Sequence, residues 1–204
     1  MLSINCIIFF SILSFFIGGI PFGLIIGKVF KKIDIREHGS GNIGATNVGR
    51  VIGKKYAVLT FLLDGLKSFL PVFFAKYFYG IQFATYIAFF VIMGHIFSPW
   101  LKGKGGKGIS SLMLALLAID YVLFLIMALT WVLCFKITKI SALSALLSTF
   151  VMLVSSFFVV EKFCFCVLFI VSCVVFYAHR SNIKRLVKGE ELGFRKKEKE
   201  NGGK

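Results

Sequence analysis

Apolar residues run in long blocks along this chain, each longer than a typical strand. The first covers Leu2 to Gly27. A second covers Tyr56 to Phe74, interrupted by Asp64 and Lys67, and a third Ile81 to Phe97. Ser141 to Val160 and Phe163 to Ala178 make two more. A bilayer span needs about 20 apolar residues, with about 17–25 tolerated. The blocks therefore predict membrane helices. The alternating segments of about ten residues that a membrane barrel would need are absent from the sequence.

The block from Ile109 to Phe135 is ambiguous, with a single charge at Asp120. As one helix it would be about 40 Å long at about 1.5 Å per residue, long for a hydrocarbon core of about 30 Å. As two, each half is short for a span, at about 12–15 residues. The basic residues arbitrate. With a turn at Asp120, only Lys76 and Lys162 fall on the far side, and the other lysines and arginines gather on or toward the near side. Without that turn, Lys136, Lys139 and the basic tail change sides. Cytoplasmic loops carry the excess of Lys and Arg, so the split is favoured. The expected fold class is an all-α integral membrane protein of seven transmembrane helices. Its N-terminus lies outside and its C-terminus in the cytoplasm. One polytopic domain spans 1–204, with 192–204 a flexible cytoplasmic tail.

Composition supports this. The 204 residues are 58% hydrophobic and 16% charged, where soluble domains run about 45–50% apolar and about 25% charged. A net charge of +15 could suggest nucleic acid, but basic residues on one membrane face explain it better, and no nucleic-acid partner is expected. The five cysteines sit inside apolar runs without metal-ligand spacing, so no metal is expected. No alanine precedes Ala45 and no basic stretch precedes the first block, so that block reads as a retained span rather than a cleaved signal.

Nearly all remaining chemistry lies in three clusters. The first is Gly39-Ser40-Gly41-Asn42-Ile43-Gly44-Ala45-Thr46-Asn47-Val48-Gly49-Arg50. The second is Lys102-Gly103-Lys104-Gly105-Gly106-Lys107-Gly108. The third is His179-Arg180-Ser181-Asn182-Ile183-Lys184-Arg185. Glycines let backbone N–H groups turn toward an anion, and Lys and Arg add full charge. Together they predict a phosphate site at the edge of a bilayer. Ser40 or Asn42 is expected to cap the helix leading into the second span, with Arg50 following as a bidentate phosphate ligand. The second cluster fails the P-loop pattern, because Leu101 and Gly108 stand where glycine and Ser or Thr are required. It opens the helix at Ile109, which suits anion binding at a helix N-terminus. His179, Asn182 and Arg185 share one helix face. Asp64 and Lys67, three apart at membrane depth, are either a structural ion pair or a functional one. A small anion transporter is the rival reading, but its polar residues would lie at mid-bilayer.

The clusters resemble the bacterial acyl-phosphate-dependent glycerol-3-phosphate acyltransferase family. Gly39 to Arg50 matches its G-S-G-N-x-G-A-T-N-x-x-R block. Gly94-His95 and Lys104 to Gly108 match G-H-x-x-P and K-G-G-K-G. His179, Asn182, Ile183, Arg185, Leu186, Gly189 and Glu191 match H-x-x-N-I-x-R-L-x-x-G-x-E, and Asp64 and Lys67 match D-x-x-K. Three positions depart. Ser98 stands where the family has proline, with Pro99 following. Gly103 replaces an aromatic residue, and Gly19 stands where serine is usual.

The resemblance implies acyl transfer from acyl phosphate to the sn-1 hydroxyl of glycerol 3-phosphate at the cytoplasmic face of the bacterial inner membrane. Lysophosphatidic acid and phosphate are the products, in the first acylation of phospholipid synthesis. Membrane lipids and a soluble phosphate acyltransferase that makes acyl phosphate are the implied partners, and no cofactor is implied. Ser40, His179, Asn182 and Lys104 are the expected catalytic residues. Gly41, Asn42, Thr46, Asn47, Arg50, Lys67, His95, Gly105, Gly106, Lys107, Gly108 and Arg185 are expected to bind substrate or phosphate, with Asp64 and Glu191 structural. His95 is either a second proton-handling candidate or a brace for its loop. The hydroxyl proton goes to His179 or to a donor phosphate oxygen, and an acyl-Ser40 intermediate is the less favoured route because no base is visibly paired with it.

Overall fold

The computed structural model describes residues 3–193 and is all helical among them. Most of the expected tail, 194–204, lies outside the described residues. Among the described residues nine helices follow in order: α1 Ile4–Gly19, α2 Phe22–Lys31, α3 Ala45–Val51, α4 Lys54–Ile96, α5 Ile109–Ile119, α6 Tyr121–Thr138, α7 Ser141–Val159, α8 Lys162–Ala178 and α9 Arg180–Val187. Short 3₁₀ turns lie at Ile35–Glu37 and Pro99–Leu101.

The first apolar block does not run unbroken to Gly27. It divides at Ile20-Pro21, because Pro21 has no N–H to continue the ladder. At the break the Ile20 carbonyl accepts from Phe22 N at 3.2 Å and from the Lys67 ammonium. α2 then ends at Lys32 in a left-handed turn, φ 56°.

α4 is two helical arms joined at Gly80, whose φ of 84° and ψ of 176° lie outside the helical region. The arms fold back on one another: Asp64 and His95 stand at nearly equal distances in sequence from Gly80, and their side chains lie 3.8 Å apart. The expected turn at Asp120 is present. Its backbone is extended, φ −153°, and its carboxylate caps α6 by accepting from Leu123 N at 2.9 Å. α5 has 11 residues, about 16 Å. α6 has 18 and continues to Thr138, past the expected end at Phe135.

Hydrogen bonds sort the connections into two ends. At one end Gln82 Nε2 donates to Glu161 Oε2 and Lys76 Nζ to Ile119 O, each at 2.7 Å. At the other, Thr46 and Ser141 share a hydroxyl hydrogen bond of 2.9 Å, Lys107 Nζ donates to Asn182, and Arg50 Nη2 donates to Leu192 O at 2.7 Å. All three clusters sit at this second end.

Length and composition mark four stretches able to cross a membrane: Ile4–Lys31, Lys54–Leu101, Tyr121–Thr138 and Ser141–Val159. The pair Lys162–Ala178 and Arg180–Val187, bent by 59°, is a fifth if counted as one span. The core runs through Val72, Ile87, Ile92, Leu112, Leu116, Leu123, Met127, Met152 and Leu168. Phe9, Phe74, Phe78, Leu129, Phe150 and Phe158 face outward, as lipid-facing residues do in place of a polar surface. Helix α1 meets the second arm of α4 backbone to backbone. A Cβ on Gly18 would strike the Val91 carbonyl, and one on Gly94 the Phe15 carbonyl. Close approach through small residues is how membrane helices gain packing without a hydrophobic drive.

Candidate active site

The first cluster does not cap the second span. It forms its own short helix, α3, preceded by Gly44, and α4 begins separately after Gly53 at φ 109°. Neither Ser40 nor Asn42 is a helix cap. Asn42 Oδ1 accepts from Gly44 N at 2.8 Å, a local side-chain turn. Asn47 is 1% exposed and organises the loop. Its Oδ1 accepts from Ser40 N at 2.8 Å, and its Nδ2 donates to Ile35 O and His38 O at 3.1 and 3.0 Å. Its amide is fully committed, so it shapes the loop.

In the second cluster most of the loop's amides face inward. Gly103 N donates to Ser98 O, Lys104 N to Leu101 O, Gly105 N to Ile96 O and Gly106 N to His95 O, at 2.9–3.0 Å. They satisfy the loop and the last carbonyls of α4. The N–H groups that suit an anion are those opening α5, from Ile109 to Ser111, which have no carbonyl one turn earlier within the helix. Gly108, at φ 85°, makes the turn that aims them.

In the third cluster, Glu191 returns from the segment after α9 and binds two members of its face. Asn182 Nδ2 donates to its Oε1 at 2.7 Å and Arg185 Nε to its Oε2 at 2.8 Å. Its side chain is 4% exposed. Asn182 Oδ1 in turn accepts from Lys107 Nζ. One carboxylate thus ties the third cluster to the second. Burial, with Arg185 and Arg50 nearby, lowers the Lys107 ammonium to about 8, against the raising effect of Glu191. His179 closes α8, and its Nδ1 lies 2.8 Å from Val175 O. A carbonyl only accepts, so Nδ1 carries the proton and Nε2 holds the lone pair. Burial lowers this imidazole to about 4, leaving it neutral near pH 7.

These pieces enclose a cavity of about 470 Å³. Of the expected residues, Ser40, Gly41, Asn42, Lys104, Gly105, Gly106, Lys107 and Arg185 line it. Thr46, Asn47, Arg50, Gly108, His179 and Asn182 are not on its wall: Thr46 is bound to Ser141, Arg50 to Leu192 O and Asn182 to Lys107 and Glu191. Lys67 is elsewhere. It pairs with Asp64 at 2.7 Å, both side chains at most 3% exposed, and borders a second, apolar cavity of about 530 Å³ with Leu70, Phe74 and Phe83. His95 is buried beneath the glycine loop. Tyr177, Arg180 and Ser181 also line the first cavity, beyond the expected set. Arg180 and Ser181 lie inside the third cluster, and Arg180 stacks 4.4 Å over the Tyr177 ring. Ser141 carries no signal in the sequence beyond its position as the first residue of an apolar block. Among the described residues no group of three His, Cys, Asp or Glu side chains could hold a metal.

The family model for glycerol-3-phosphate acyltransferase matches residues 8–189. The chain is 42% identical over 185 residues to the glycerol-3-phosphate acyltransferase of Wolbachia sp. subsp. Brugia malayi, covering 90% of this chain and 96% of the relative. It is 42% identical over 181 residues to that of Pelagibacter ubique, covering 87% and 92%. Among solved structures it is similar to PlsY (YgiH), an integral membrane glycerol 3-phosphate acyltransferase. The glycerol 3-phosphate form gives a TM-score of 0.89 at 33% identity, covering 93% of this chain and 96% of that one. The lysophosphatidic acid form gives 0.87 at 32% identity, with the same coverage of 93% and 96%.

Proposed function

Since this chain belongs to the glycerol-3-phosphate acyltransferase family, we propose that it moves an acyl group from acyl phosphate to the sn-1 hydroxyl of glycerol 3-phosphate. The hydroxyl oxygen bonds to the acyl carbon and the carbon–oxygen bond to phosphate breaks. Lysophosphatidic acid and inorganic phosphate leave. The observation that carries this is one cavity in which Lys104, Lys107, Arg180 and Arg185 from two separate segments meet Ser40 and Asn42 from a third, beside lipid-facing helices. Both substrates bring phosphate and the donor brings a lipid chain.

An acyl phosphate is already activated, so positioning and charge stabilisation are what the protein must add. Lys104, Lys107 and Arg185 hold phosphate, with the α5 amides and Gly108 at the same end. Arg50 joins them from behind the wall. Ser40 and Asn42, with Thr46 supporting through Ser141, orient oxygens. Asn182 steadies Lys107 from behind the wall, and His179, held by Val175 O, closes α8 just before the third cluster's helix. As a proton acceptor, an imidazole lowered to about 4 is weaker than a phosphate dianion, whose second pKa is about 6. The departing phosphate is therefore the assigned acceptor. No acyl-Ser40 intermediate is needed, since the acyl phosphate is already activated for direct attack by the glycerol 3-phosphate hydroxyl.

Purified protein is expected to release phosphate from palmitoyl phosphate only when glycerol 3-phosphate is present, yielding one equivalent of lysophosphatidic acid. Turnover with acyl-CoA and none with acyl phosphate would overturn the donor. A requirement for an added divalent ion would overturn the cofactor-free chemistry.

The same reading places seven crossings in the bacterial cytoplasmic membrane, N-terminus outside and the cavity facing the cytoplasm. A soluble enzyme delivering acyl phosphate would then approach from that side. What supports it is the alternation of chain ends, with Asp120 and Glu161 opposite the clusters. In intact cells a cysteine at position 120 should react with an impermeant maleimide and one at 190 should not. The reverse pattern would invert the topology.

A further inference from the structure

His95 is among the most enclosed ionisable groups in the protein, 3% exposed, and lies outside the wall of the cavity beside it. Two levels of contact join it to the loop above. Its main-chain carbonyl accepts from Gly106 N at 2.9 Å, and the next carbonyl, Ile96 O, accepts from Gly105 N at 3.0 Å. Its ring lies directly under Gly106: a Cβ built there would collide with Nε2, Cε1 and Cδ2 at once. On the ring's other side, Nδ1 faces Asp64 Oδ1 at 3.8 Å. Asp64 is held by Lys67, whose ammonium also grips the Ile20 carbonyl at the break between α1 and α2. Ser111, in the first turn of α5, donates to the Asp64 carbonyl at 3.2 Å.

We propose that His95 is a positioning residue: its imidazole is the platform on which Gly106 rests, its main-chain carbonyl and that of Ile96 hold Gly106 and Gly105, and that seat aims Lys104 and Lys107 into the cavity. Gly106 lies between the ring and the cavity, so a substrate in the cavity meets the loop and not the imidazole. Glycine at 106 is required by the ring beneath it, since any side chain must displace either the imidazole or the loop. Asp64 and Lys67 reach the site through this stack and, from the Asp64 carbonyl, through Ser111 in the first turn of α5, which accounts for a D-x-x-K pair away from the first cavity.

The proposal rests on the acyltransferase reading for its kinetic readout and on none for its structural one. The test is a complementary pair. His95→Asn keeps a polar group near the Nδ1 position and removes the Cε1–Nε2 edge under residue 106. Gly106→Ala adds the methyl that the edge excludes. Gly106→Ala alone should lower kcat/KM for glycerol 3-phosphate about tenfold, chiefly through KM, and speed amide exchange at positions 105 and 106. The double variant should recover most of that loss and restore the protection, because the methyl fills the space the ring edge left. If His95 instead touches substrate, the double variant will be at least as impaired as His95→Asn alone, and the proposal fails. If Gly106→Ala leaves exchange unchanged, the seat is wrong. A wild-type protein with no acyl transfer removes the kinetic arm alone, and exchange in the four proteins still decides.

Discussion

Asp64→Ala is expected to leave little folded protein. Asp64 and Lys67 are buried with side chains 1% and 3% exposed, and their charges meet at 2.7 Å. Removing one partner of such a pair costs about 3–5 kcal/mol, because the other charge stays buried and uncompensated. Membrane depth sharpens the penalty, since lipid offers the stranded ammonium no water. The Ile20 carbonyl gives Lys67 one remaining partner, which dampens the loss without cancelling it. Replacing both, as Asp64→Leu with Lys67→Met, should restore much of the folded yield. The Ile20 carbonyl then keeps only its bond from Phe22 N at 3.2 Å. Yield of monodisperse protein and the thermal midpoint in detergent are the measurements. A single variant as stable as wild type would show that the pair is hydrated in the membrane. Activity adds a second decision. If Lys67 acts only through the His95 seat, any rise in glycerol 3-phosphate KM in the folded double variant will come with faster amide exchange at positions 105 and 106. If Lys67 binds substrate, as the family resemblance implies, affinity will fall while that exchange stays at the wild-type rate.

The helical blocks were legible because lipid demands unbroken apolar length, and the turn at Asp120 was legible because charge must sort by side. The break at Ile20-Pro21 was not. Pro21 alone marks a weak point, but the ammonium that joins Phe22 N at the Ile20 carbonyl comes from Lys67, 47 residues away, and no local pattern encodes that. That the clusters carry one site was legible, and residues of all three line one cavity, yet their division of labour was not. Asn47 looks like Asn42 in the sequence. Only the fold shows that one fastens the loop while the other lines the cavity. The glycine loop read as an anion nest, whereas four of its amides close the loop and the end of α4. Local composition fixes which backbone conformations are possible, and tertiary contacts decide where the amides point.

The departures from the family pattern meet in space, which the sequence could not show. Ser98 is fully buried and its hydroxyl donates to Gly19 O at 2.7 Å. A Cβ on Gly19 would press on Pro99 and Trp100. Gly19 and Ser98 thus form one contact, with the hydroxyl supplied from the partner side. Gly103, the third departure, adopts φ 79°, a conformation costly for the aromatic residue it replaces.

Lys107 should set the alkaline limit of the reaction. Burial places its ammonium at about 8, below the ordinary lysine value of 10.5. It keeps its charge at neutral pH and loses it as pH rises through about 8. If that charge holds substrate phosphate, kcat/KM for glycerol 3-phosphate will fall above that point, since this ratio reports the free enzyme's ionisations. Lys107→Arg keeps the charge across the range and should remove the limb at 8 even where packing lowers the plateau. Lys107→Ala loses a charge-assisted contact, about 1.5–3 kcal/mol, and should drop kcat/KM about ten- to a hundredfold at pH 7. The sign of stability is opposite. Between about 8 and 10.5 the unfolded lysine still holds its proton while the folded one has released it, so this group makes folding more favourable as pH rises. Activity lost in that window therefore cannot be unfolding driven by Lys107. A limb at 8 that persists unchanged in Lys107→Arg would assign the titration to another group and remove Lys107 from the phosphate site.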